Sequence, residues 1–186
     1  PYKSQRKVPI VNTATMPPYN AEISAGSLLP LEGRRIAALL LTDPDDAAWR
    51  HAIEVENILQ KKTPATARRQ ATLIRKRLNT LDAAGWTLLV EGEHEVATQL
   101  LLAAAVKHSH LLGDFLLKVY AHRQRRLEPA LAPVDWHDFL AECAHHDPAV
   151  AGWSESTRAK LFQVIVRILV EAKYLQNARS MKLTPR

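Results

Sequence analysis

The sequence predicts an all-α fold, a single compact bundle of about seven helices. Three observations predict it. Apolar residues recur at steps of three and four through most of the chain, and no segment alternates at period two between turn signals. Two of these periodic stretches open with a capping residue followed by proline. Aromatics make up 6% and glycines number 6, fewer of both than β-rich chains usually carry. With 186 residues, 47% of them hydrophobic, one domain can bury a core without staples.

Residues 1–30 read as a basic, loosely ordered arm. Pro9, Pro17, Pro18 and Pro30 interrupt it, and Lys3, Arg6 and Lys7 meet no acid before Glu22. The helical domain is expected over 31–177. Its first helix runs Leu31–Leu41. Asp43-Pro44-Asp45-Asp46 supplies a cap, a proline at the first helical position and acids in the first turn, opening a helix to about Gln60. Ala47, Trp49, Ile53, Val55 and Ile58 are its expected buried side. Thr63-Pro64 repeats the signal and opens a third helix to about Ala83. There Ala67, Ala71, Ile74, Leu78 and Leu81 form an amphipathic stripe.

Gly85 and Gly92 bracket a short piece around Trp86. A helix over about Glu93–Val106 is apolar around most of its circumference and is expected at the centre. His108-Ser109-His110 is a break, followed by a helix over about Leu111–Arg126. Pro129 and Pro133 make a loop, and Asp135 is expected to cap a short helix, about Trp136–His145. The last helix, about Glu155–Asn177, buries Leu161, Val164, Ile165, Ile168, Leu169, Ala172 and Leu175, with Lys160, Gln163, Arg167 and Glu171 opposite. Residues 178–186 read as a flexible tail.

Several function classes lack support. A single cysteine, Cys143, excludes an internal disulfide framework and a thiolate zinc finger, and fits a cytoplasmic location. The longest apolar run, Leu100 to Val106, is far short of the roughly 20 residues that span a bilayer. The N-terminal residues carry no signal-peptide pattern. Phosphate-cradling glycine loops, Gly-x-Ser-x-Gly and His-Glu-x-x-His are absent. Cys143, His145, His146 and Asp147 are metal-competent, but adjacent histidines on a helix diverge by about 100°. No catalytic residue, metal or cofactor is expected.

Charge supplies the positive signal. The net charge is +6, and no acid lies between Gln60 and Asp82. That stretch holds Lys61, Lys62, Arg68, Arg69, Arg75, Lys76 and Arg77. Positions 61, 68, 75 and 62, 69, 76 repeat at seven residues, nearly two helical turns, so they share a longitudinal stripe. Like charges this close repel by several tenths of a kcal/mol per pair, which an anionic ligand would relieve. The alternative is a solvated face whose acids come from another helix, for example Glu54 and Glu56. The tryptophans (Trp49, Trp86, Trp136, Trp153) sit in apolar context, which argues against base stacking and for backbone-directed binding. Lys61, Lys62, Arg68, Arg69, Arg75 and Lys76 are therefore the expected phosphate contacts, with Lys3, Arg6 and Lys7 adding grip from the arm. A second cluster, Lys118, His122, Arg123, Arg125 and Arg126, lies at a helix C-terminus, where the dipole already favours cations.

Three blocks carry a family resemblance. They are Ile53-Glu54-Val55-Glu56-Asn57-Ile58-Leu59 with Thr66-Ala67-Arg68-Arg69 and Leu73-Ile74-Arg75-Lys76-Arg77-Leu78; Ala103-Ala104-Ala105-Val106-Lys107-His108 with Leu111-Leu112-Gly113-Asp114-Phe115-Leu116; and Trp153-Ser154-Glu155-Ser156-Thr157-Arg158-Ala159-Lys160-Leu161 with Arg167-Ile168-Leu169-Val170-Glu171-Ala172. In order and spacing they resemble the BrxA family of BREX bacteriophage-defence systems. The resemblance implies a NusB-like fold and a non-catalytic accessory role in DNA binding. It also implies double-stranded DNA and other BREX components as partners. It carries no residue-level binding motif, so the site residues rest on the charge pattern. RNA binding of the NusB kind and a protein–protein adaptor role remain open, and a homo-oligomer is compatible with all three.

Overall fold

The computed structural model describes residues 19–185. Nine helical segments are present among them, against about seven expected. They are α1 (Pro30–Leu40); α2 (Asp46–Arg50), continued by a π turn (His51–Val55); α3 (Pro64–Leu78); α4 (Ala83–Glu91); α5 (His94–His108); α6 (His110–Asp114), continued by a π turn (Phe115–Tyr120) and α7 (Ala121–Arg125); α8 (Pro133–His146); α9 (Pro148–Ala151); and α10 (Glu155–Glu171). A 3-10 turn, Glu22–Ala25, precedes them. No helix among the described residues is long and apolar enough to cross a membrane.

The core forms where the periodic stripes meet. α5 packs on α1, α3, α4 and α6, and buries Ala97, Leu101, Leu102, Ala104 and Ala105. Gly33 lets α1 approach it: a Cβ there would lie 2.7 Å from Leu101 Cδ2. The predicted stripe of α3 is buried at Ala67, Ala71, Ile74 and Leu78, and that of α10 at Leu161, Val164, Ile165, Ile168 and Leu169. Phe115, Trp136, Phe139 and Phe162 form an aromatic cluster with ring centroids 5.4–5.8 Å apart.

Caps decide several boundaries. Thr63 and Ser154 accept from the N–H groups of Thr66 and Thr157, as the cap signals predict. Asp45, not Asp43, caps α2, because Asp43 takes a left-handed φ of 48° in the preceding turn. Asp135 sits inside the first turn of α8 and its carboxylate reaches back to Ala132 N–H. The short piece at Trp86 is a true helix, α4: Asp82 accepts from Gly85 N–H, which places that glycine inside the first turn.

Two expectations about helix register and length need correction. The π turn after α2 advances the register by about one residue, so Val55 is 70% exposed while Ala52 and Ile53 are buried. α10 stops at Glu171, six residues early, because Lys173 adopts φ 61°; Lys173 N–H then bonds to Val170 O and Tyr174 N–H to Leu169 O, closing the helix end. In the segment that leads into α1, Ile23 and Leu28 are fully buried, while Asn20 and Glu22 are exposed. Near the C-terminus, Leu131 N–H donates to Met181 O, and Leu183 N–H to Pro129 O.

Candidate nucleic-acid interface

α3 is positioned by its apolar side against α1 and α5, which turns its basic residues toward α2, the 3-10 turn and solvent. The two seven-residue rows then part company. In the first, each cation finds a partner from another element. Lys61, in the turn before α3, pairs with Glu32 of α1. Arg68 Nη1 lies 2.9 Å from Glu54 Oε2, on the π turn. The Arg75 guanidinium lies 4.3 Å from the centroid of the Trp49 ring.

The second row is more open. Lys62 and Arg69 are exposed and form no ion pair among the described residues. Lys76 Nζ lies 2.8 Å from Glu22 Oε1 on the 3-10 turn, both side chains nearly half exposed. The hydrogen bond from Lys76 holds the Glu22 carboxyl below the usual range. The other carboxylate oxygen lies 3.3 Å from His108 Nε2. Burial pushes the His108 pKa down, and its Nδ1 has no hydrogen-bond partner among the described residues.

Arg77, the last cation of the stretch, points inward and is buried. Its Nη1 donates to Ser27 O and its Nη2 to Gly26 O at 3.0 Å. Burial lowers its pKa to about 10, opposed by the charge of Glu171. Glu171, expected on the solvent face of α10, instead accepts from Ser27 Oγ and Leu28 N–H, each at 2.7 Å. Arg77 and Glu171 together lash the segment after the 3-10 turn to α3 and α10.

The acid-free face expected along 61–77 is therefore not what the fold presents. Lys61, Arg68 and Lys76 are matched by carboxylates 29, 14 and 54 residues away in sequence. Such partners leave no trace in local spacing. Glu54 is legible from the sequence as a candidate; Glu22 and Glu32 are not, and Glu56 lies 3.5 Å from His51 instead. Lys3, Arg6 and Lys7 lie outside the described residues. In the second cluster, Lys118 lies 2.9 Å from Glu142, Arg123 meets Asp135 and Glu128, and Arg126 lies 3.0 Å from Glu128. Cys143 is buried, and Asp147 is occupied by the N–H groups of Tyr19 and Ala149.

Fold and site together define a small all-helical protein whose most basic helix is half compensated by its own carboxylates. The BrxA family model matches residues 17–186. The chain belongs to the BrxA family. It is 44% identical over 167 residues to the BREX protein BrxA of Paramagnetospirillum magneticum (strain ATCC 700264 / AMB-1), covering 90% of this chain and 84% of that one. It is 40% identical over 162 residues to the BREX protein BrxA of Escherichia coli O9:H4 (strain HS), covering 87% and 76%. The crystal structure of an uncharacterized protein from Magnetospirillum magneticum superposes with a TM-score of 0.84 at 41% identity, covering 91% of this chain and 87% of the other.

Proposed function

We propose that this protein is a non-catalytic, DNA-binding accessory component of a BREX bacteriophage-defence system, and that α3 grips the phosphate backbone of the duplex. Lys62, Arg68, Arg69 and Lys76 make the contacts. Arg75 stands at their edge, held over Trp49, and Lys61 is held inward by Glu32. Lys3, Arg6 and Lys7 add grip from the N-terminal arm. Other BREX components are the expected protein partners.

The observation that carries the reading is the division of labour along α3. The cation that the fold requires, Arg77, is buried, whereas Arg68 and Lys76 are themselves about half exposed and meet carboxylates that solvent also reaches. Exposed ion pairs contribute about 0–1 kcal/mol, so phosphates can replace those carboxylates at small cost. Backbone-directed contacts of this kind carry little sequence information by themselves.

The test is a competition titration between duplex DNA and structured RNA of equal length, repeated at several salt concentrations. The duplex should win, and binding should weaken steeply with salt. Preference for RNA would move the protein to the RNA-binding reading. No retention of either nucleic acid, with capture of a BREX component that survives nuclease treatment, would favour the adaptor reading.

A further inference from the structure

The 3-10 turn and α3 face each other across a cleft of ≈ 330 Å³. Glu22 and Ser24 line one side; Arg69, Thr72 and Lys76 line the other. Positions 69, 72 and 76 step along one helical face, so both cations and the Thr72 side chain look into the same space. Thr72 Oγ1 already donates to Arg68 O at 2.8 Å, which leaves the two cations as the strong donors.

The cleft holds two positive groups and one negative one. Arg69 has no ion pair among the described residues. Lys76 has Glu22. Among the acids that pair with the cations of 61–77, Glu22 differs from Glu32 and Glu54 in having a second basic neighbour, His108, against its other oxygen. It can release Lys76 and still keep a hydrogen-bonding partner. A carboxylate that meets a lysine in this way stands where a phosphate oxygen would stand.

We propose that the cleft is the seat of one backbone phosphate, held between Arg69 and Lys76, and that Glu22 is the displaceable carboxylate that fills the seat in the free protein. The proposal rests on the DNA-binding reading of α3. On binding, Lys76 passes from Glu22 to the phosphate, and Glu22 stays beside His108 and takes up a solvent cation. Charge-assisted contacts from the arginine fork and the ammonium then fix the register of the strand on α3. Glu22 thus lowers affinity for any polyanion that must displace it from Lys76, and acts as a competitor for the seat rather than a simple stabiliser.

The experiment compares wild type, Glu22→Gln and Glu91→Gln on a duplex of about 20 base pairs by fluorescence anisotropy across a salt series. Glu91 is exposed at the end of α4 and controls for the loss of one negative charge. Glu22→Gln should bind about twofold to fivefold tighter than wild type, the scale of one exposed ion pair. Its salt slope should steepen by about one, because a neutral amide takes up no cation when Lys76 moves to the phosphate. Glu91→Gln should do neither, and the gain should vanish when Lys76→Gln is added to Glu22→Gln. If Glu22→Gln matches Glu91→Gln while Lys62, Arg68, Arg69 and Lys76 reversed together to glutamate abolish binding, the seat is wrong and the DNA-binding reading stands. If that fourfold reversal leaves binding intact, the reading falls and the seat with it.

Discussion

Arg77 Nη2 donates to Gly26 O at 3.0 Å, across 51 residues of sequence. Its neighbour Lys76 points to the cleft, so two adjacent cations serve opposite ends, one in the interior and one on the surface. The sequence alone makes them look alike.

Arg77 is expected to be the most stability-sensitive cation of the stretch. Arg77→Met should destabilise the protein by about 3 kcal/mol, because it leaves the carbonyls of Gly26 and Ser27 without their donor and Glu171 without its nearby charge. Arg77→Lys should also lose stability, since an ammonium cannot bridge both carbonyls as the planar fork does. Denaturant unfolding measures both, and Arg69→Gln should be nearly neutral in the same assay.

Arg75 and Trp49 form a separate unit. Replacing Arg75 by Gln should cost about 0.5–1 kcal/mol, the scale of a partly exposed cation–π contact. Trp49→Leu should cost more, because it also removes packing against the core. A double-mutant cycle by denaturant unfolding gives the coupling, which should fall in the same range.

Acid should weaken the fold through His108. Its folded pKa is lowered by burial, so between that value and the ordinary 6.5 the unfolded chain binds more protons than the folded one. Stability should fall as pH drops through 6.5 and level off below the folded value. The groups facing His108 are Glu22 on the 3-10 turn and Lys76 and Arg77 on α3. Glu22 acts with the same sign at lower pH: its pKa is depressed by Lys76, so its stabilisation is present above the ordinary carboxylate value and is lost as pH falls through the folded value. Thermal unfolding across pH 7 to 5 should therefore show a decline that His108→Gln flattens.

Local signals are legible in the sequence and remote ones are not. Thr63 and Ser154 act as caps, and the stripe through Ala67, Ala71, Ile74 and Leu78 is buried, because both features depend on neighbours within a turn or two. α4 is hidden because Gly85 and Gly92 look like boundaries, although Gly85 lies in the first helical turn. The outward position of Val55 depends on a π turn, which shifts the helical period within five residues. The site is half legible. The density of cations along 61–77 is a property of sequence, but which of them is buried, stacked or paired depends on Glu22, Glu32, Glu54, Trp49 and the carbonyls of Gly26 and Ser27, all brought in by the tertiary fold.

On the proposed reading, the exposed cations beside and along α3 hold duplex phosphates. The decisive experiment is the salt dependence of duplex affinity for wild type and for the variant with Lys62, Arg68, Arg69 and Lys76 reversed to glutamate. Wild type should give a slope of log affinity against log salt near −0.9 for each phosphate held, and the variant should bind at least about 100-fold more weakly with a nearly flat slope. Equal affinity and equal slope in the two proteins, with the variant folded, would refute phosphate binding by α3.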